Sequence, residues 1–232
     1  MRILSLSPWF GKPENGIIWP PMPITTIIFD IGNVILHFDY LRAARRFAEV
    51  TGLPLETIEK HFYFSELERL YSKGKLSSDG FFDALKRELG FTVDFDTFAT
   101  IWNDIFWLNH SVEELIKALK GKYRLAAITN TTDLHFRYWL ENFPVLRLIE
   151  TFFPSHETGL RKPDPELFHL ALKQLKARPE ETVFVDDMEE NAQAAQALGI
   201  RTVHYRSTEE LKSEFEKLGI ILESKKLHEG AR

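Results

Sequence analysis

The sequence predicts an α/β fold: a Rossmann-like doubly wound parallel sheet with an inserted helical cap. Three observations carry this. From residue 111 onward, short apolar β-branched runs alternate with amphipathic stretches, the pattern of strands joined by helical crossovers. An isolated run of the same kind, ITTIIF at residues 24–29, precedes them, and the 37–110 segment between is helical in period. Several strands end in polar side chains, and the carboxyl ends of strands in such a sheet converge on one crevice.

In chain order, residues 1–21 carry Pro8, Gly11 and Pro13 and read as a flexible N-terminal extension, too interrupted for a secretory core. Met22 precedes the first strand and is an alternative natural start. Residues 24–29 suit a buried parallel strand opening into a loop at Asp30 and Gly32. The cap follows, with helical spacing in FDYLRAARRFAEV, PLETIEKHFYFSELERLYSKG and SSDGFFDALKRELG, broken at Gly52, Gly74 and Gly90. SVEE at Ser111 has the form of a capping box and starts the next helix. Then come the strand YRLAAIT, the helix DLHFRYWLEN, the strand IETFFPS and the helix PELFHLALKQLK, capped by Asp164 with Pro165 in its first turn. The strand TVFVDD, the helix NAQAAQALG closed by Gly199, the strand RTVHY and a helix over 208–218 complete the core. The expected division is a core of 22–36 and 111–222, a cap of 37–110 and a flexible tail of 223–232.

Composition narrows the function. The 232 residues are 44% hydrophobic, enough for a substantial core. The net charge of −5, with 29 basic and 34 acidic residues dispersed, offers no basic stripe for nucleic acid. No cysteine is present, which removes disulfides, thiolate metal sites and thiol nucleophiles and fits a reducing cytoplasm. No run reaches the roughly 18–20 apolar residues that cross a bilayer, so no membrane partner is expected. The eight histidines lack a metal-ligand spacing, and no GxGxxG follows a predicted strand, which argues against a nicotinamide enzyme.

The polar strand ends are Asp30, Thr129 with Asn130, and Asp186 with Asp187. Carboxylates brought together repel, and a hard divalent cation such as Mg²⁺ relieves this through oxygen ligation. Lys162 adds a positive charge, and the set becomes a candidate site for a phosphoryl group.

The segments FDIGNVI, ITNTT, GLRKPDPELF and FVDDMEENAQAAQALGI, in this order, resemble the four motifs of the haloacid dehalogenase superfamily over about residues 24–206. The DxGNV form with a compact helical cap is similar to its α-glucose-1-phosphatase-like branch. The resemblance implies a Mg²⁺-dependent phosphatase acting on a small phosphorylated metabolite, with Asp30 and Lys162 catalytic. It implies Asp30, the Gly32 carbonyl and Asp187 as metal ligands, Thr129, Asn130 and Asn33 as substrate-binding residues, and Asp186 and Asn191 as supports; by its position before a helix, Asp186 also reads as a structural cap. One departure is Gly32, where phosphatases of this superfamily carry a second Asp that protonates the leaving alcohol, help worth about 10²–10⁴-fold. A leaving group of low pKa, such as the anomeric oxygen of a sugar 1-phosphate, or an acid from His37 or Asp39, would answer its loss. Two rivals remain, a 2-haloacid dehalogenase and a catalytically silent module binding a phosphorylated ligand or a protein.

Overall fold

The computed structural model describes residues 22–63 and 65–222; the expected extension and tail lie outside them. The first strand, β1 (Thr26–Phe29), is followed by a tight turn in which Asn33 takes a left-handed φ of 53°. The chain then enters β2 (Leu36–Phe38) and five helices: α1 (Tyr40–Thr51), α2 (Leu55–Phe62), α3 (Glu66–Ser72), α4 (Ser78–Leu89) and α5 (Phe95–Asn103). It returns through β3 (Phe106–Leu108), which pairs antiparallel with β2. This two-stranded ribbon, which no periodicity announces, connects the helical insertion to the rest of the chain.

The remaining elements alternate: α6 (His110–Leu119), β4 (Arg124–Thr129), α7 (Asp133–Asn142), β5 (Thr151–Pro154), α8 (Ser155–Thr158), α9 (Pro165–Leu175), β6 (Thr182–Asp186), α10 (Glu189–Gln196), β7 (Arg201–His204) and α11 (Thr208–Lys217). The sheet is five-stranded and parallel throughout, in the order β5-β4-β1-β6-β7. This is the doubly wound sheet the sequence predicts. Side chains alternate between its faces, as period-2 geometry demands. Ile27, Phe29, Leu125, Ala127, Val183 and Val185 pack with residues of α6, α7 and α11. Ile28, Ala126, Ile128 and Phe184 pack with α9 and Ala195 of α10. Because both faces are covered, the central strands read as unbroken apolar runs.

Two sequence expectations need correction. The long stretch around PLETIEKHFYFSELERLYSKG is two helices rather than one: α2 ends as Tyr63 turns extended, and the Ser65 hydroxyl caps α3 by accepting from Glu68 N. Helix α6 is capped by Asn109, not by Ser111. The Asn109 side chain accepts from Val112 N at 3.4 Å, while its Nδ2 donates to Val34 O at 3.0 Å and Tyr205 Oη at 2.8 Å. Those long-range bonds fix the residue where the helix begins and outweigh the local SVEE pattern.

The insertion has its own aromatic core, in which Phe47, Phe62, Phe81, Phe98 and Trp102 are fully or almost fully buried. Its α3–α4 side is tied to the sheet domain by polar contacts. Ser78 Oγ donates to Asp133 Oδ2 at 2.7 Å and lies 2.9 Å from Tyr71 Oη, which accepts from Leu134 N. Arg161 Nη1 donates to Ser72 Oγ. At the same edge Gly74, with φ +67°, lies so close to the core that a Cβ would stand 2.0 Å from His156 O.

Candidate active site

Parallel pairing with a common register delivers the strand-end residues to one place. Thr26–Phe29 faces Arg124–Ala127 on one side and Thr182–Val185 on the other. Asp30 continues the ladder, its N donating to Val185 O at 2.8 Å, so its carboxylate emerges beside those of Asp186 and Asp187. Ligand oxygens from Asp30, Asp186 and Asp187 all lie within 4.8 Å of one another.

Lys162 lies between two of them. Its Nζ is 2.7 Å from Asp30 Oδ1 and 2.7 Å from Asp186 Oδ2, and all three side chains are buried. The lysine arrives on the loop before α9, and that loop is clamped by Asn130, whose Oδ1 accepts from Lys162 N at 2.8 Å and whose Nδ2 donates to Lys162 O at 3.0 Å. Asp164, two residues on, caps α9 by accepting from Glu166 N.

Asp186 is saturated. Besides Lys162, its Oδ1 accepts from Met188 N at 2.8 Å and from Asn191 Nδ2 at 2.9 Å; Met188 is the N-cap of α10 and the helix has no side-chain cap, so Asp186 fixes the turn before the helix rather than capping it as the sequence predicts. Asp187 is less buried; its carboxylate accepts from Asn33 Nδ2 at 3.1 Å, and its backbone carbonyl lies 2.9 Å from His204 Nε2. Asn33 and Asn191 thus orient one aspartate each. Thr129 is buried at the end of β4 and lines the same cavity, as does Gly32.

The electrostatics follow from burial. Asp30 is pushed up to about 7 by desolvation; Lys162 pulls it down, while Asp186 and Asp187 push it further up. Asp187 is raised as well, chiefly by burial. For Lys162, burial favours the neutral form, but Asp30 and Asp186 more than offset this and hold the ammonium above its usual range. One buried cation facing three acidic groups leaves a site short of positive charge. Its donors are all hard oxygens, which suits Mg²⁺ in kind.

Two residues considered from the sequence fall elsewhere. Asp39 caps α1, accepting from Leu41 N at 2.9 Å, and His37 packs on Trp107 of the ribbon, ring centroids 5.9 Å apart; neither lines the cavity. The cavity, about 590 Å³, extends from the carboxylates up to the helical insertion. Its upper wall contains Phe38, Tyr40, Tyr63, Trp102, Phe106 and Trp139, together with Glu68 and Arg161, which pair at 3.5 Å. That ion pair joins positions 93 residues apart, and no local pattern in the sequence signals it.

The family model for haloacid dehalogenase-like hydrolases matches residues 24–199. Among curated relatives, the chain is 25% identical over 189 residues to the D-ribitol-5-phosphate phosphatase of Bacteroides thetaiotaomicron, covering 77% of this chain and 90% of that protein. It is 26% identical over 193 residues to drimenol cyclase drtB of Aspergillus calidoustus, covering 81% of this chain but only 35% of that longer protein. Among solved structures, a HAD family enzyme of B. thetaiotaomicron in complex with magnesium and inorganic phosphate superposes with a TM-score of 0.73 at 27% identity, covering 79% of this chain and 94% of the other. No helix among the described residues is long and apolar enough to cross a membrane.

Proposed function

Since this chain belongs to the haloacid dehalogenase-like hydrolases, we propose that it is a cytoplasmic phosphatase for a small phosphorylated metabolite, working with Mg²⁺ through a phosphoryl group carried transiently on Asp30. The observation that carries this is Lys162 bridging Asp30 and Asp186 at 2.7 Å each, with Asp187 alongside.

Asp30 is the nucleophile: its carboxylate attacks phosphorus in line with the leaving oxygen, and water later releases phosphate from the aspartyl ester. Lys162 neutralises charge on Asp30 and on the transferring group. Thr129 and the backbone N–H of Asn130 hold phosphoryl oxygens. Asp30, the Gly32 carbonyl and Asp187 would hold the metal, and Asp186 and Asn191 support the set from behind. Bound there, Mg²⁺ supplies Lewis-acid stabilisation of phosphoryl oxygens.

The three clustered carboxylates favour this reading over a 2-haloacid dehalogenase, whose chemistry has no use for a cation site. Gly32 is the feature that favours a silent binding module. Phosphate release from sugar phosphates, nucleotides and p-nitrophenyl phosphate, with and without Mg²⁺, separates the three. Magnesium-dependent release that disappears in Asp30→Asn is expected. A folded protein that binds Mg²⁺ yet releases phosphate from no ester overturns the reading.

A further inference from the structure

We infer that the substrate is a phosphate monoester of a phenol, and that Phe38 is the residue that selects it. This rests on the phosphatase reading and concerns what lies on the far side of the scissile bond.

The first observation is at Gly32. Its φ is not in the left-handed region, so the backbone there accepts a side chain. What stands in the way is Phe38: a Cβ at residue 32 would lie 3.0 Å from its Cε1. The ring occupies the space that the first atoms of a side chain at residue 32 would need. Without an acid at that position, departure depends on how well the alcohol carries negative charge alone. A phenol ionises near 10, as tyrosine does, whereas an aliphatic alcohol leaves as a far stronger base, and the loss of about 10²–10⁴-fold from general acid catalysis falls mainly on the latter.

The second observation is the wall. Phe38 meets Tyr40 with centroids 4.6 Å apart, and Tyr40 meets Tyr63 at 4.3 Å, so the rings are contiguous. An apolar ring of the substrate gains roughly 25 cal/mol per Å² buried there, plus about 0.5–1.5 kcal/mol for each good ring pair. A sugar would need a partner for each hydroxyl it buries. The polar groups of the cavity lie mostly beside the carboxylates, at Asn33, Thr129, Asn130, Thr131 and Asn191, whereas the aromatic part of the wall carries Glu68 and Arg161, 3.5 Å apart, and buries Tyr63 Oη, Trp102 Nε1 and Trp139 Nε1. An aryl group seated on these rings therefore gains more from this part of the cavity than a sugar does.

The step balances without an enzyme acid. The Asp30 carboxylate forms a bond to phosphorus as the bond to the aryl oxygen breaks. The phenoxide keeps the electron pair and takes a proton from solvent. Water then attacks the phosphorus of the aspartyl ester, returns the carboxylate and gives inorganic phosphate, its proton passing to solvent.

The test is kcat/KM with Mg²⁺ for ring-substituted phenyl phosphates, benzyl phosphate, methyl phosphate, glucose 1-phosphate and ribitol 5-phosphate. Wild type is compared with Phe38→Ala and with the double variant Gly32→Asp/Phe38→Ala. In the wild type, phenyl phosphate is expected to exceed both sugar phosphates and benzyl phosphate by at least about 100-fold, with a steep decline as the phenol becomes less acidic. Phe38→Ala raises KM for phenyl phosphate about tenfold and raises that for methyl phosphate by much less. The double variant gains at least about tenfold on benzyl phosphate and shows a shallower dependence on phenol acidity. Should the double variant not fold, the wild-type series and Phe38→Ala decide alone. Sugar phosphates hydrolysed as well as or better than phenyl phosphate, by an activity that Asp30→Asn still abolishes, overturn this inference and leave the phosphatase reading standing. No release from any ester defeats that reading itself.

Discussion

Lys162 has two buried carboxylates at 2.7 Å and is itself sealed from solvent. Removing one member of such a group leaves uncompensated charge, which costs about 3–5 kcal/mol. Lys162→Met is therefore expected to abolish phosphate release and to lower stability in urea by that amount at pH 8 in the presence of a chelator. Adding Mg²⁺ should recover more stability in the variant than in the wild type, because the cation then meets carboxylates that nothing else neutralises. A variant as stable as the wild type without a divalent cation would show that the lysine does not hold these acids together. Asp186 shows how one residue can have two duties. Its place just before α10 was legible in the sequence, but Oδ1 accepts from the N–H of the N-cap residue Met188 and so braces the turn instead of capping the helix. Its grip on Lys162 was not legible, because that contact spans 24 residues and depends on two strand ends arriving side by side.

The helical insertion is held to the sheet domain along the α3–α4 edge, and Gly74 measures how closely the two approach. A methyl group there would meet His156 O at 2.0 Å and would also strain a φ of +67°. Gly121 has a comparable φ of +80° with nothing within 4 Å, so Gly121→Ala carries only the left-handed penalty of about 1–2 kcal/mol. Gly74→Ala is expected to lose clearly more than this in thermal or urea melts, and to expose the insertion to proteolysis before the sheet domain. Equal losses in the two variants would refute close docking at this edge. The strands of the core were legible because burial on both faces writes them as continuous apolar runs. The ribbon of β2 and β3 was not, since three-residue strands carry no readable period. The boundary between α2 and α3 was equally hidden, because apolar spacing runs on through Phe62 and Tyr63. The local SVEE pattern put the cap of α6 at Ser111, and the bonds from Asn109 to Val34 and Tyr205 that place it two residues earlier are long-range and leave no local signal. The residues proposed to carry the chemistry sit in ordered local motifs, and the strand ends bring them to one cavity. The aromatic wall comes from helices of the insertion, the β2–β3 ribbon and α7, with Arg161 beside it, and only the fold brings these together.

At the scale of the whole molecule, two buried groups oppose each other in the response to pH. His135 of α7 lies beneath Trp102 of the insertion, its Nε2 3.0 Å from Trp102 O and the two rings stacked at 5.1 Å. Burial holds it neutral, pushing its pKa down to about 3, whereas an unfolded histidine titrates near 6.5. Between about pH 6.5 and 3 the unfolded chain binds a proton that the folded one refuses, so this group makes stability fall as pH falls. Asp30 acts with the opposite sign. Raised from 3.8 to about 7 in the folded protein, it holds a proton between about pH 4 and 7 that the unfolded chain has released, so stability falls as pH rises through that window. Each contributes a limiting slope of about 1.4 kcal/mol per pH unit, and in the shared window from about pH 4 to 6.5 the two offset one another. Substitution separates them. In metal-free protein, Asp30→Asn should melt progressively higher than the wild type as pH rises from 4 to 7, because the asparagine needs no proton to stay neutral. His135→Gln, which keeps a donor for Trp102 O, should lose ground to the wild type at neutral pH and recover it as the solution is acidified. Thermal melts of the three proteins across pH 4–8 with a chelator test both signs together. Difference curves that run parallel to the pH axis would show that neither group is buried in the protonation state its surroundings impose, and would remove the electrostatic basis for a metal-dependent nucleophile at Asp30.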